Sequence, residues 1–171
     1  MIPKILFILH LPPPIHGAAM MGKYIHDSDI INNQFDCSYL NLTAAKDLND
    51  IGRFRVTKIV DFVKFLFAIR KKVVETKPSL VYVTPNTKGG GFYKDFVVVC
   101  LLKLLKCKIV VHFHNKGVVT RQDRFIDNIM YKHFFKGLKV ILLAEALYQD
   151  ICKYVDRRDV YVCPNGIPLN T

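Results

Sequence analysis

Six short apolar runs alternate with segments of helical spacing along this chain, and that alternation limits the fold more than any other feature. The runs are "KILFILH" (4–10), "DCSYLNL" (36–42), "SLVYVT" (79–84), "CKIVVHFH" (107–114), "LKVILLA" (138–144) and "DVYVCP" (159–164). Between them, "HGAAMMGKYIHDSDII" (16–31), the stretch from Arg53 to Thr76, "GFYKDFVVVCLLKLLK" (91–106), "RQDRFIDNIMYKHFFKG" (121–137) and "EALYQDICKYV" (145–155) read as helices. Lys77-Pro78 stops the second helix, and Gly137 suits the end of the fourth. Strands that read as continuous apolar runs are covered on both faces, which calls for helices on both sides of a parallel sheet. The expected fold class is therefore α/β: a Rossmann-like doubly wound parallel sheet of about six strands. Right-handed crossovers leave few topologies, and 3-2-1-4-5-6 is the expected strand order.

The chain has 171 residues, enough for one domain with a real core and too few for two large ones. Its 25 Lys+Arg against 14 Asp+Glu give a formal charge of +11. That excess suits an anionic partner: a phosphorylated ligand, nucleic acid or an acidic membrane surface. Nucleic acid is disfavoured, because there is no RNP-like run, aromatic triad or evident recognition helix. Cys37, Cys100, Cys107, Cys152 and Cys163 show no CxxC pair and sit among apolar neighbours, so buried free thiols in a reducing compartment are expected. The opening "MIPKILFILH" has too short an apolar core and no cleavage site for a signal peptide, and no other apolar run suits a membrane span. The expected location is the cytoplasm, with peripheral contact at the inner face of the membrane.

The case for membrane contact rests on the long basic helix. From Arg53 to Lys77 it carries eight Lys/Arg against Asp61 and Glu75. At about 100° per residue, Val56, Ile59, Val60, Val63, Leu66, Phe67 and Val74 share one side, and Phe62, Phe65 and Ile69 widen the arc. Lys64, Lys71 and Lys72 lie opposite. So broad a face either presses partly into an anionic membrane or packs under a neighbouring helix.

If the first and fourth strands are neighbours, the loop "LPPPIHG" (11–17) and the segment "HFHNKG" (112–117) meet at a crevice at the carboxyl ends of the strands. His112 and His114 share one face by the period of two. His112 reads as a hydrogen-bonded core residue. His114, nearer the strand end, reads as functional. Gly17 either permits a tight turn or lets helix-terminal amides approach a phosphate. "TPNTKGGGFYKD" (84–95) sets three glycines beside Lys88, as an anion nest or a surface loop. GxxxxGK[ST] is absent, as are GxGxxG after the first strand and an acidic residue ending the second. Those absences argue against a nicotinamide dehydrogenase or a sugar-nucleotide epimerase.

Four of these segments, in order, resemble the N-terminal domain of GT-B retaining glycosyltransferases of family 4. "VYVCPNGIP" (160–168) looks like that family's PNG segment leading into the second domain, and "VILLAEALYQDI" (140–151) is similar to its V-I-x-x-S-E-x-L stretch. "PPPIHGAA" (12–19) resembles its proline-rich first loop, with His16 in place of the first glycine of the usual pair. "IVVHFHN" (109–115) resembles its histidine-ended fourth strand. Ala144 departs from the family's Ser or Thr and cannot cap the following helix. The resemblance implies an N-terminal acceptor-side domain over 1–163, with 164–171 starting a linker to a donor domain that lies outside this chain. It implies sugar transfer from a nucleotide-sugar to a hydroxyl acceptor, sugar or lipid-linked, in surface polysaccharide biosynthesis. The nucleotide-sugar is a co-substrate, and neither a cofactor nor a catalytic metal is implied. His114 would be the catalytic residue, and His16, Gly17, Asn115, Lys88, Gly89, Gly90 and Tyr93 would bind substrate. The fragment alone would be inactive. The other open reading is a small basic Rossmann-like domain that binds an anionic membrane surface or phosphorylated ligand without catalysis.

Overall fold

The computed structural model describes residues 2–42 and 56–166. The expected helix start at Arg53 and the linker residues 167–171 lie outside the described residues. In chain order the elements are β1 (Lys4–Leu9), α1 (Gly17–His26), α2 (Asp29–Gln34), β2 (Asp36–Asn41), α3 (Val56–Thr76), β3 (Leu80–Val83), α4 (Gly89–Leu104), β4 (Ile109–Phe113), α5 (Phe125–Phe135), β5 (Lys139–Leu142), α6 (Tyr148–Ile151) and β6 (Val160–Val162). The fold is α/β, with one six-stranded parallel sheet flanked by helices.

The strand order is β2-β1-β3-β4-β5-β6. This corrects the expected 3-2-1-4-5-6. β3 inserts between β1 and β4, so those two strands are not neighbours, and the reversal of winding falls between β1 and β3. All five β4 residues are buried, as a central parallel strand requires.

The chain groups into two compact units. One is Met1–Tyr82 with Leu101–Lys108, and the other is Val83–Cys100 with Ile109–Thr171. In the first, Ile5, Phe7 and Leu9 of β1 point to one face, where Ile25, Ile31, Phe35 and Tyr39 pack on them. β1 and β2 run parallel in register from Lys4 opposite Asp36 to Leu9 opposite Asn41. The expected single helix over 16–31 is broken. Asp27 closes α1, and the Ser28 hydroxyl accepts from Ile31 N–H at 3.4 Å to start α2.

Only part of the broad apolar arc of α3 turns inward. Ile69 and Val73 are buried, with Phe62, Phe65 and Leu66 half-buried beside them. Ile59, Val60, Val63, Phe67 and Val74 are exposed.

The second unit is built around rings. Phe92 of α4 lies 4.6 Å from Tyr131 and 5.3 Å from Phe134 of α5, ring centre to ring centre, and Phe113 of β4 lies 5.8 Å from Phe135. Gly137, at φ +75°, follows the end of α5 as expected. The expected helix over 145–155 shrinks to a 3-10 turn, Glu145–Leu147, and the one-turn α6, and Ala144 supplies no side-chain cap at its start. The five cysteines are free, but Cys152 and Cys163 are exposed and the other three only half-buried, which corrects their expected burial.

Gly22 shows how closely α1 seats on the end of β1. A Cβ at this position would lie 2.1 Å from the His10 carbonyl oxygen. Backbone cannot yield as a flexible side chain would. Gly22→Ala is therefore expected to destabilise the chain by about 2 kcal/mol or more, read as a lower urea midpoint at unchanged slope.

Candidate functional site

The residues that bear chemistry in the second unit lie on three segments. They are the loop after β3 and start of α4 (84–93), the end of β4 and its loop (112–119), and the chain leaving β6 (163–166). Each segment is tied down by polar side chains that the hydropathy pattern does not reveal. Asp95, almost wholly buried, accepts from both the backbone N–H and the side-chain amide of Asn86, each at 2.7 Å. Tyr131, buried, donates its hydroxyl to the Thr87 carbonyl at 2.7 Å. Thr87 N–H donates in turn to Asn115 Oδ1 at 3.2 Å, joining the two loops.

The loop after β4 is held by one carboxylate. Asp150 of α6 accepts from the N–H groups of Gly117, Val118 and Val119 at 2.8, 3.0 and 3.1 Å. Gly117 stands at φ +150°, and the stem of Lys88 lies where its Cβ would be, 2.5 Å away. A side chain at 117 would thus be strained and would displace Lys88. The Lys88 side chain is exposed and has no ion-pair partner among the described residues.

His112 and His114 lie on one face, as the spacing predicts, with ring centres 4.3 Å apart. His112 is buried and hydrogen-bonded to the Cys163 backbone. Burial first, then the neighbouring imidazole, pushes its pKa down to about 4. The core role expected for His112 fits these surroundings. His114 sits just past the last residue of β4. Burial lowers its pKa as well, opposed by the nearby Asn165 side chain. Asn165 is close enough to act on the ring as a weak hydrogen-bond partner, yet neither buried ring nitrogen of His114 reaches it in ordinary hydrogen-bond geometry.

The remaining expected residues of this unit divide. Gly89 (φ +71°) and Gly90 are not in a loop but form the first turn of α4. The glycine stretch is thus a helix start rather than an open nest. Asn115 has its side-chain oxygen committed to Thr87. Tyr93 donates its hydroxyl to Asp127 Oδ1 at 2.8 Å, and that carboxylate raises the phenol's pKa. Asp127 is buried and lies 3.9 Å from Arg121 Nε.

His16 and Gly17 belong to the first unit. His16 caps α1, its Nδ1 accepting from Ala19 N–H at 3.3 Å, so that Nδ1 is the unprotonated nitrogen. Its ring centre lies 5.8 Å from that of His10. Leu11 N–H donates to Asn41 Oδ1 at 3.2 Å, fixing the start of the proline loop. The helical bonds of α1 leave the Gly17 and Ala18 amides as its terminal donors. Gly17 has ordinary backbone geometry, and a Cβ there would meet nothing within 4 Å. Neither a turn nor internal packing requires glycine at that position.

Asp127, Asp150 and Asn165 were not singled out from the sequence. Their partners lie far along the chain, 31 to 33 residues for Asp150, so no local spacing announces them. No family model matches the chain, and no curated protein is similar enough to count as a relative.

The buried imidazoles give a pH dependence of definite sign. The folded pKa of His112, about 4, lies below the ordinary value of 6.5. The unfolded chain therefore takes up the proton first as pH falls. Stability is complete above about pH 6.5 and is lost progressively toward about pH 4, on the order of 3 kcal/mol for this residue. The shift at His114 has the same sign. His112→Phe is expected to flatten that part of the profile, as seen by comparing urea midpoints of both proteins from pH 7 to pH 4.

Proposed function

We propose that this chain is the N-terminal, acceptor-binding part of a retaining glycosyltransferase acting on a nucleotide-sugar and a hydroxyl acceptor. The observation that carries the proposal is His114. Its imidazole stands at the carboxyl end of a buried parallel strand, inside a loop fixed by Asp150, with both nitrogens buried and neither in a regular hydrogen bond. A buried polar group without a partner costs free energy, and a sugar hydroxyl would satisfy it. The lowered pKa keeps the ring neutral, so that one nitrogen can donate and the other accept.

In the proposed reaction the bond from the sugar's C1 to the leaving diphosphate breaks. A bond from C1 to the acceptor oxygen forms on the same face, and the acceptor proton leaves with the phosphate. Such chemistry needs positioning and stabilisation of developing charge more than a covalent partner on the protein. His114 positions the transferred sugar by hydrogen bonding. Lys88, whose stem lies over Gly117, supplies a cation without an ion-pair partner among the described residues, beside the same loop. Asn115 and Tyr93 act through the loops they tie rather than by free polar atoms. By the family resemblance the donor diphosphate falls to Gly17, whose open surroundings leave room for a phosphate, and to a further domain. The reading of His114 does not depend on that assignment.

The test uses the full-length protein, with transfer of label from nucleotide-hexoses to a lipid-linked acceptor as the readout. His114→Ala is expected to lower turnover at least about a hundredfold, the scale of losing one aligned hydrogen-bonding group. The urea midpoint at pH 7 should not fall. Unchanged turnover in His114→Ala, or no transfer from any nucleotide-hexose by the wild type, would refute the proposal.

A further inference from the structure

A helix that ends in a left-handed residue normally places glycine there, because a Cβ is strained at positive φ. α5 obeys this, with Gly137 at φ +75°. α3 and α4 do not. Lys77 follows α3 at φ 47°, and Lys106 follows α4 at φ 56°. Each sits at a regular helix end: Lys77 N–H donates to the Val73 carbonyl at 2.9 Å, and Cys107 N–H to the Leu102 carbonyl at 3.0 Å. Glycine would serve the backbone better at both positions, so the side chains are the reason for lysine.

Both lysines line one open groove of about 640 Å³ in the first unit. Val73, Val74, Leu105 and Cys107 form its apolar wall, and Lys108 adds a third ammonium. None of the three lysines has an ion-pair partner among the described residues. Leu104, at the end of α4, is 81% exposed. Along α3 the exposed Ile59, Val60, Val63, Phe67 and Val74 fall within an arc of about 100°, which continues through Arg70 to Lys77. A largely apolar stripe thus runs along α3 from Ile59 to Val74, past Arg70, into a cluster of cations without an ion-pair partner among the described residues.

We propose that this surface docks on an anionic phospholipid bilayer. α3 would lie in the membrane plane with its apolar stripe at the acyl boundary, and Lys77, Lys106 and Lys108 would meet lipid phosphates. A small free anion would not account for Phe67 and Val74 standing in water beside the lysines. A second copy of the chain fits the groove poorly, because a two-fold axis through it would set lysines against lysines. An acidic bilayer supplies both complements at once. The proposal is independent of the sugar-transfer reading.

The test is sedimentation of the 171-residue chain with vesicles of phosphatidylcholine containing phosphatidylglycerol, and with phosphatidylcholine alone, at low salt. The wild type is expected to bind the anionic vesicles and not the neutral ones. Lys77→Gly with Lys106→Gly relieves both backbone strains, so it should not lower the thermal midpoint, yet it should weaken binding roughly thirtyfold. Lys108→Gln, which leaves both helix ends untouched, should weaken it about fivefold. Phe67→Ser should also reduce binding. The proposal is overturned if anionic vesicles fail to retain the wild type, if neutral vesicles retain it equally, or if the double glycine variant binds as the wild type does. A dimer in sedimentation velocity that Phe67→Ser dissociates would reassign the face to self-association.

Discussion

One carboxylate holding three successive amides is the interaction on which the candidate site depends. Asp150 takes the N–H groups of Gly117, Val118 and Val119, and Thr120 returns its hydroxyl to the Gly117 carbonyl at 2.7 Å. Charge-assisted bonds to backbone amides are roughly twice as strong as neutral ones, and here three share one acceptor group. The loop after β4 consequently has little freedom. Asn115 carries that rigidity to Thr87, and Tyr131 anchors Thr87 from the aromatic core. His114 therefore stands without a regular partner in rigid surroundings. A slack loop could let an imidazole turn toward water, whereas a clamped one presents it to whatever enters.

The two imidazoles constrain each other. With ring centres 4.3 Å apart and little solvent, a proton on either ring would meet a desolvation cost, and a proton on His112 would also be repelled by one on His114. The pair is held neutral, and its chemistry is that of hydrogen bonding rather than fixed charge. Fixed positive charge in this unit must come from elsewhere, and Lys88, exposed and without an ion pair among the described residues, can provide it. On the proposed reading the division is physically consistent: desolvated neutral donors would orient a sugar, while a solvated ammonium would meet an anion without the cost of burial.

Element types were legible because their signals are local. Continuous apolar runs at β1, β4 and β5 identify buried strands, and the period of two puts His112 and His114 on one face. Strand order was not legible, because hydropathy says that β3 is buried and not which strands it lies between. The break at Ser28 was readable in principle, since Asp27-Ser28-Asp29 is a stop followed by a cap and an acidic first turn. The inward face of α3 was not legible for another reason. Apolar residues cover more than half its circumference, and periodicity cannot say which part of so wide an arc meets the core. The polar ties were the least legible. Tyr93 and Asp127 are separated by 34 residues, and nothing near either marks the other.

Glycine usage separates two kinds of demand on this backbone. Gly22 and Gly117 are glycine because another atom occupies the space of a Cβ, and Gly137 because its φ is positive. Gly17 answers to neither requirement. Lys77 and Lys106 are the converse case, side chains kept where the backbone favours none. A missing side chain without internal cause and a present one against internal cost point the same way, toward something outside the chain. At Gly17 the proposed function assigns that something as a phosphate, which needs room, and at the two lysines the proposed bilayer needs positive charge beside an apolar wall. A net charge of +11 is uninformative while it is spread evenly. It gains weight where three ammonium groups, without an ion-pair partner among the described residues, gather beside Val73, Val74, Leu105 and Cys107.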